Sequence, residues 1–170
     1  RKARKRVPRT VKEILLHTAR AQPNAFLKRS VAREYLQARI LLSLQVHGAF
    51  VNWAFLGGTA LRFLYGIPRY SEDLDFSLTE PGESRFGELM KHARADLTAE
   101  AYDVAVKVRE TKTVASAFVK CRGLLHELGL SPLPDEILSV KVEIDTKPPA
   151  GADFETTLVR RFVTLHLLHY

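Results

Sequence analysis

The stretch WAFLGGTALRFLYGIPRYSEDLDFSL, residues 53–78, constrains the fold more than any other part of the chain. Its first four residues are apolar and predict a short buried strand, which the two glycines that follow must end. Glycine allows a tight turn and leaves backbone N–H groups unobstructed. A helix is predicted next. We expect Thr59 to open it and to cap its first turn, and Gly66 and Pro68 to end it.

The same stretch ends in DLDFSL, residues 73–78, in which polar and apolar side chains alternate. This alternation predicts a strand that carries Asp73, Asp75 and Ser77 on one face and three apolar residues on the other. Two carboxylates on one strand face repel each other, so a bound cation is the natural compensation. The simpler explanation, a solvated strand edge, is the more frequent one when an Asp-x-Asp pattern stands alone.

Paired carboxylates and a glycine turn at a helix start complement each other chemically. Mg²⁺ is commonly held by one or two carboxylates together with substrate phosphates and water, whereas backbone N–H groups at a helix start bind anions such as a triphosphate. The combination predicts a site for metal-assisted phosphoryl or nucleotidyl transfer. The residues that we expect to bind the nucleotide are Gly57, Gly58, Thr59, Arg69, Ser71 and, less directly, Arg62.

The role of Arg69 has two interpretations that the residues alone leave open. It lies on the polar loop that enters the carboxylate strand, where a guanidinium can neutralise phosphate charge through paired hydrogen bonds. It can equally fix the loop by pairing with the nearby Glu72.

The order strand, GG[ST], helix and R-x-S-x-D-L-D-F resembles the first motif of the DNA polymerase β-like nucleotidyltransferase superfamily. GGTALRF followed by RYSEDLDF is similar in particular to the AbiEii-type nucleotidyltransferase toxins of bacterial toxin–antitoxin and phage-defence systems. The similarity is dense over residues 53–78 and looser up to about residue 147. It implies Mg²⁺-dependent transfer of an NMP from an NTP to an acceptor hydroxyl, in several members the 3′ end of tRNA, and it implies an antitoxin protein as a partner.

A second informative segment is SVKVEIDTK, residues 139–147, which alternates so that Lys141, Glu143 and Asp145 share a polar strand face. The resemblance implies a third carboxylate on a strand beside the Asp-x-Asp strand, with apolar neighbours on both sides. Glu143 fits that setting best and Asp145 remains the alternative. This residue would complete a second metal position and help to deprotonate the acceptor hydroxyl. The implied catalytic set is Asp73, Asp75, Glu143 and Asp145, and the implied metal ligands are Asp73, Asp75 and Glu143.

We divide the chain into three parts. Residues 1–10 are basic and lack apolar periodicity, so we expect a mobile tail that either contacts RNA phosphates or is merely solvated. Residues 11–50 carry two helical patterns, the second from about residue 26 or 30 to residue 47, and form a helical N-terminal cap. Residues 51–170 form an α+β nucleotidyltransferase core with a small mixed, mostly antiparallel sheet flanked by helices.

The rest of the core has simple patterns. A helix is predicted from Ser84 to near Ala101, and strands at residues 103–108 and 114–121 are predicted to form an antiparallel hairpin. Residues 156–168 are predicted to be one last strand. In AbiEii-type proteins a helical region with a catalytic lysine and a further aspartate follows such a strand, and no residue here matches them. We therefore expect the chain to lack that C-terminal region.

The net charge of +7 favours a polyanionic partner, and with the resemblance we expect tRNA or another RNA. No apolar run approaches the length of about 20 residues that a membrane span needs, and the single Cys121 suits a reducing compartment, so we expect a cytoplasmic protein without a membrane partner. The alternative function is a non-catalytic basic module that binds RNA or an antitoxin. A kinase-like function is disfavoured because no GxxxxGK[ST] motif is present.

Overall fold

The computed structural model describes residues 10–170. Residues 1–9 of the predicted tail lie outside this range, and Thr10 is the N-cap of the first helix. The helices are α1 (Val11–Arg20), α2 (Ala25–Val46), α3 (Gly57–Tyr65), α4 (Phe86–Ala99) and α5 (Leu124–Glu127). The strands are β1 (Trp53–Leu56), β2 (Asp73–Leu78), β3 (Asp103–Glu110), β4 (Val114–Arg122), β5 (Ile137–Asp145), β6 (Glu155–Arg161) and β7 (Val163–His169).

The strands form one sheet in the order β3-β4-β5-β2-β1-β7-β6. Only the β2–β5 and β1–β7 pairs are parallel, and the other four pairs are antiparallel. The prediction of a mixed, mostly antiparallel sheet is therefore confirmed, including the antiparallel β3–β4 hairpin. With seven strands among the described residues, the sheet is larger than the small one that we predicted.

The helices pack on the apolar face of this sheet because the strands keep a strict alternation. Leu74 and Phe76 of β2 and Val142 and Ile144 of β5 are buried, whereas the residues between them face the other way and stay partly exposed or polar. Helix α2, begun by the Asn24 cap, is buried along more than half of its length and contacts β5, β7 and α4. One face of the central strands is thus sealed, and the other carries the polar residues.

The prediction of one last strand over residues 156–168 is wrong. The chain reverses at Phe162, which has a φ of 60°, and returns as β7 alongside β6. The alternating pattern continues through the turn and offers no glycine or asparagine that would mark it. The ring of Phe162 packs against Tyr35 of α2 with centroids 5.1 Å apart, so a tertiary contact accompanies a turn that the local sequence does not announce.

A buried ion-pair network joins three distant segments on the helical side of the sheet. Glu34 of α2, 3% exposed, accepts a hydrogen bond from Nε of Arg62 in α3 and, at 2.8 Å, from Nε of Arg161 in β6. Arg62 also donates to the Ile67 carbonyl and stacks over the ring of Tyr70. The network fixes helix α3 against both its predecessor α2 and the C-terminal hairpin.

No helix among residues 10–170 combines the length and the apolar character that crossing a membrane requires.

Replacing Glu34 with alanine is expected to lower the free energy of unfolding by about 3–5 kcal/mol, because it leaves the buried Arg62 without a counter-charge. Urea unfolding followed by circular dichroism measures the change. The matched control is Glu127→Ala, which removes a more exposed pair with Lys12 and is expected to cost about 0–1 kcal/mol. Equal losses in the two variants would contradict the role assigned to the network.

Candidate active site

The turn between β1 and α3 lies against the carboxylate strand so closely that only glycine fits. Gly57 has a φ of 81°, and a Cβ atom there would lie 2.8 Å from Oδ2 of Asp75. A Cβ atom on Gly58 would overlap the hydroxyl of Ser71. The backbone of the turn therefore packs directly on Asp75 and Ser71, and the two halves of the predicted site are brought together.

Helix α3 starts at Gly57, two residues earlier than predicted, with Leu56 in the N-cap position and no side-chain cap. The prediction that Thr59 caps the helix is wrong. Its buried hydroxyl instead donates to the carbonyl oxygen of Asp73 and so ties the helix to β2. The N–H groups of the first turn receive no side-chain acceptor, which leaves the positive end of the helix available to an anion.

The parallel register between β2 and β5 places acidic residues side by side. Asp75 is paired with Glu143 and Asp73 with Lys141, so these four side chains share one face of the sheet. Nζ of Lys141 lies 2.8 Å from a carboxylate oxygen of Glu143. The cluster therefore contains three carboxylates and one ammonium group.

Of the two alternatives for a third carboxylate, Glu143 is the one that lies beside Asp75. Asp145 is paired with Ser77, is exposed, and accepts a hydrogen bond of 2.8 Å from the backbone N–H of Lys147. It therefore stabilises the turn at the end of β5, one step farther from the carboxylate pair.

The charges around Asp75 indicate a site that lacks positive charge. Burial raises the pKa of Asp75 above its ordinary value, and the neighbouring Asp73 and Glu143 raise this pKa further, whereas Lys141 opposes the shift. The hydrogen bond to Glu143 in turn raises the pKa of Lys141. A half-buried carboxylate with two acidic neighbours and one cation favours a further cation, and hard oxygen donors suit Mg²⁺.

A preformed cage for a metal ion is absent from residues 10–170, where no group of three His, Cys, Asp or Glu side chains is arranged to hold an ion. Asp73 and Asp75 would supply two ligands, and the remaining ligands would be water and substrate oxygens. This is the usual way in which proteins bind Mg²⁺, which keeps several waters and few protein ligands. Lys141 pairs with one carboxylate oxygen of Glu143, so the other oxygen is the one through which Glu143 would join.

A cleft of about 420 Å³ lies over the acidic face. Asp75, Glu143 and Asp145 line it together with apolar groups that include Leu56, Pro149 and Tyr170. A larger cavity of about 470 Å³ lies between α4 and β3, but Glu110 is the only carboxylate among its lining residues. The smaller cleft is therefore the one whose chemistry matches the sequence motif.

The two candidate arginines differ in their surroundings. Arg69 is exposed and forms no ion pair among the described residues, while Glu72 pairs with Arg33 at 3.0 Å, so the alternative in which Arg69 pairs with Glu72 is wrong. Arg62 is buried, and its guanidinium is held by Glu34 and the Ile67 carbonyl. Arg69 is thus free to reach a phosphate, whereas Arg62 supports the helix from behind.

Two residues near the site have roles that the sequence motifs do not assign. The alternation in β5 puts Lys141 on the face of Glu143, but only the structure shows the ion pair between them. Gln37 of α2 donates a hydrogen bond of 2.9 Å to the carbonyl oxygen of Ser71 and so positions the loop that contacts Gly58. No local pattern connects Gln37 to a loop more than thirty residues away.

Residues 39–166, well over half of the chain, match the sequence model of a protein family described as "Nucleotidyl transferase AbiEii toxin, Type IV TA system". No curated protein matches the chain. Among solved structures, JHP933 from Helicobacter pylori is similar with a TM-score of 0.51 and 20% identity, over 81% of this chain and 51% of that one. MenT4, a nucleotidyltransferase toxin from Mycobacterium tuberculosis H37Rv, is similar with a TM-score of 0.52 and 19% identity, over 92% and 53%.

The chain therefore spans about half the length of each of these two structures. At such identities the structural likeness shows a shared fold, and it confirms the predicted α+β nucleotidyltransferase fold.

Asp75→Asn is expected to stabilise the metal-free protein at about pH 7 and to leave it unchanged at about pH 3. The folded chain raises the pKa of Asp75, so folding disfavours the ionised form. This penalty is present above the folded pKa and vanishes below the unfolded value of about 3.9. We expect the melting temperature in EDTA to rise by about 2–4 °C at neutral pH, the shift that about 1 kcal/mol gives in a domain of this size.

Thermal unfolding by circular dichroism at both pH values measures this effect. Asp145→Asn is the matched control, because Asp145 is exposed and paired with Ser77, so its melting temperature should stay near that of the wild type. A lower melting temperature for Asp75→Asn at neutral pH, or a gain that persists in acid, would show that like charges do not crowd Asp75.

Proposed function

The chain belongs to the AbiEii nucleotidyltransferase toxin family, and from that premise we propose that it carries the core of a Mg²⁺-dependent enzyme that transfers an NMP from an NTP to an acceptor hydroxyl. The observation that carries the proposal is the packing of Gly57 directly on Asp75, which is paired with Glu143 on the acidic face. An anion-binding helix start and a cation-binding acidic pair then lie in direct contact. A nucleoside triphosphate with its Mg²⁺ combines the negative phosphates and the positive metal ion in one ligand.

In this proposal the residues of the turn and its neighbouring loop hold the triphosphate. The free N–H groups at the start of α3 receive β- and γ-phosphate oxygens, and the exposed guanidinium of Arg69 adds a charged donor. Thr59 acts indirectly, because its hydroxyl fixes the helix start to β2. Ser71 supports the turn through its contact with Gly58.

The acidic residues would hold the metal and receive a proton. Asp73 and Asp75 would bind Mg²⁺, and Glu143 would complete a second position or accept the proton of the acceptor hydroxyl. The metal, when bound, neutralises the phosphate oxygens and polarises the phosphorus centre. The acceptor oxygen forms a bond to the α-phosphorus, the bond to the bridging oxygen breaks, and pyrophosphate leaves with that electron pair.

RNA, and tRNA in particular, is the proposed acceptor. The net charge of +7 supports a polyanionic partner, and the family resemblance supports tRNA. The family description also supports a cognate antitoxin as a protein partner. We place the reaction in the cytoplasm, where NTPs and tRNA are available.

The test is to incubate the chain with Mg²⁺, total cellular RNA and each labelled NTP in turn. We expect label in RNA from one preferred NTP, loss of the label in EDTA, and its return with excess Mg²⁺. Asp73→Asn and Asp75→Asn should each lower the transfer rate about 100-fold or more, because each removes a metal ligand. The labelled RNA, once sequenced, identifies the acceptor.

The same assay separates Glu143 from Asp145. Glu143→Gln should lower the rate about 100-fold or more, as expected for loss of a proton acceptor or metal ligand. Asp145→Asn should keep most of the rate, because Asp145 is engaged with the backbone of Lys147. If Asp145→Asn lowers the rate and Glu143→Gln does not, Asp145 has the role proposed for Glu143. Undiminished transfer by Asp75→Asn would exclude this site. RNA binding without any transfer, even when the C-terminal helical region implied by the resemblance is restored, would favour the non-catalytic module.

A further inference from the structure

The β3–β4 hairpin continues the acidic face of the sheet to the edge of the sheet, and there the charge of this face changes from negative to positive. Lys107 and Arg109 of β3 and Phe118 and Lys120 of β4 lie on this face, and we call these four residues the hairpin platform. On β4 the neighbours of Phe118 and Lys120 on the opposite face, Ala117, Val119 and Cys121, are buried in the core, whereas Val106 of β3 is partly buried and Val108 is exposed. The platform is therefore the solvent side of a hairpin that is packed on the core through β4.

The strand register runs from the platform straight to the carboxylates. In one row Lys107 is paired with Phe118, Phe118 with Lys141, and Lys141 with Asp73. Phe118 is thus two strands from Asp73, a distance of about 10 Å at the usual strand spacing of about 4.8 Å. A ligand on the platform lies within a few nucleotide lengths of the carboxylate pair.

The cations of the platform have no counter-charge within the described residues. Lys107, Arg109 and Lys120 form no ion pair and no side-chain hydrogen bond in residues 10–170. Arg122, the last residue of β4, contrasts with them because it pairs with Asp103 at 2.8 Å. Three uncompensated positive charges on one side of a hairpin attract a polyanion.

Phe118 is an aromatic ring on a polar face. It is 43% exposed, and no ring contact or cation–π contact involves it among the described residues. Core packing does not account for it, because the core side of β4 is formed by its neighbours. An exposed aromatic ring surrounded by cations is the usual arrangement for single-stranded nucleic acid, in which the ring stacks on a base and the cations contact phosphates.

We propose that the hairpin platform binds the single-stranded 3′-terminal segment of an RNA acceptor. Phe118 stacks on a base, and Lys107, Arg109 and Lys120 contact the phosphates on either side. This placement brings the terminal hydroxyl toward Asp75 and Glu143. The inference rests on the proposed nucleotidyl transfer for the fate of that hydroxyl, whereas the binding itself can be measured alone.

The test is the affinity of the chain for a fluorescently labelled single-stranded RNA of about 12 nucleotides, measured by anisotropy at several salt concentrations without NTP. The triple variant Lys107→Ala, Arg109→Ala, Lys120→Ala is expected to bind more weakly. The slope of log affinity against log salt should become shallower by about 0.7 for each phosphate that the variant no longer neutralises. Arg160→Ala is the matched control, because Arg160 is exposed on the same face at the opposite edge of the sheet and should not affect binding.

The aromatic contribution is tested separately. Phe118→Ala should weaken RNA binding about tenfold without changing the salt slope. Phe118→Trp should retain the affinity and Phe118→Leu should not, because stacking needs an aromatic ring and not only an apolar side chain. Thermal unfolding checks that each variant is folded, which we expect because all four residues are partly or largely exposed.

Three results would overturn the inference. The first is equal RNA affinity in all variants, and the second is the same weakening with Arg160→Ala. The third is a polyglutamate peptide that binds as tightly as RNA and whose affinity does not change when Phe118 is replaced. The last result would assign the surface to an acidic protein.

In the transfer assay the platform variants should raise the KM for RNA and leave the KM for NTP unchanged. If the wild type transfers nothing but the variants still weaken RNA binding, the proposed function fails and the platform stands. If transfer proceeds and the KM for RNA is the same in the platform variants as in the wild type, the platform does not bind the acceptor, and the proposed function is unaffected.

Discussion

The parallel pairing of β2 with β5 is the constraint on which the rest of the site depends. It places Asp75 beside Glu143, which like-charge repulsion opposes, and Asp73 beside Lys141. The pairing is held from the opposite face, where apolar residues of both strands are buried in the core. Hydrophobic burial thus stabilises a register that concentrates negative charge, and the proposed Mg²⁺ would relieve the repulsion that remains.

The glycine turn belongs to the site because its backbone lies directly against the carboxylate strand. Because Gly57 and Gly58 lack Cβ atoms, the backbone of the turn comes into contact with Asp75 and Ser71. Larger side chains would separate the helix start from the carboxylates and would therefore separate the proposed positions of phosphate and metal. The hydroxyl of Thr59, bonded to the carbonyl oxygen of Asp73, holds the two elements together at this distance.

Local patterns predicted much of this structure, and nonlocal contacts account for what they missed. The alternation at residues 73–78 and the glycine turn were sufficient to place β1, β2 and the start of the site. The cap assigned to Thr59 was wrong because the helix begins at Gly57, which puts Thr59 inside the first turn, where its hydroxyl donates to the carbonyl oxygen of Asp73. The reversal at Phe162 lacks a turn residue, and the burial of Arg62 depends on Glu34, which is 28 positions earlier. Neither has a signal within a short window.

The network around Glu34 also bears on the order in which the protein is completed during synthesis. Helix α3 is fixed by Arg62, but Glu34 is shared with Arg161, almost one hundred residues farther along the chain. During translation the turn between β1 and α3 is therefore made early and anchored late, after β6 has left the ribosome. Helix α3 gains its link to the C-terminal hairpin only when six of the seven strands in residues 10–170 have been synthesised. Its final position thus depends on the part of the sheet that is made last.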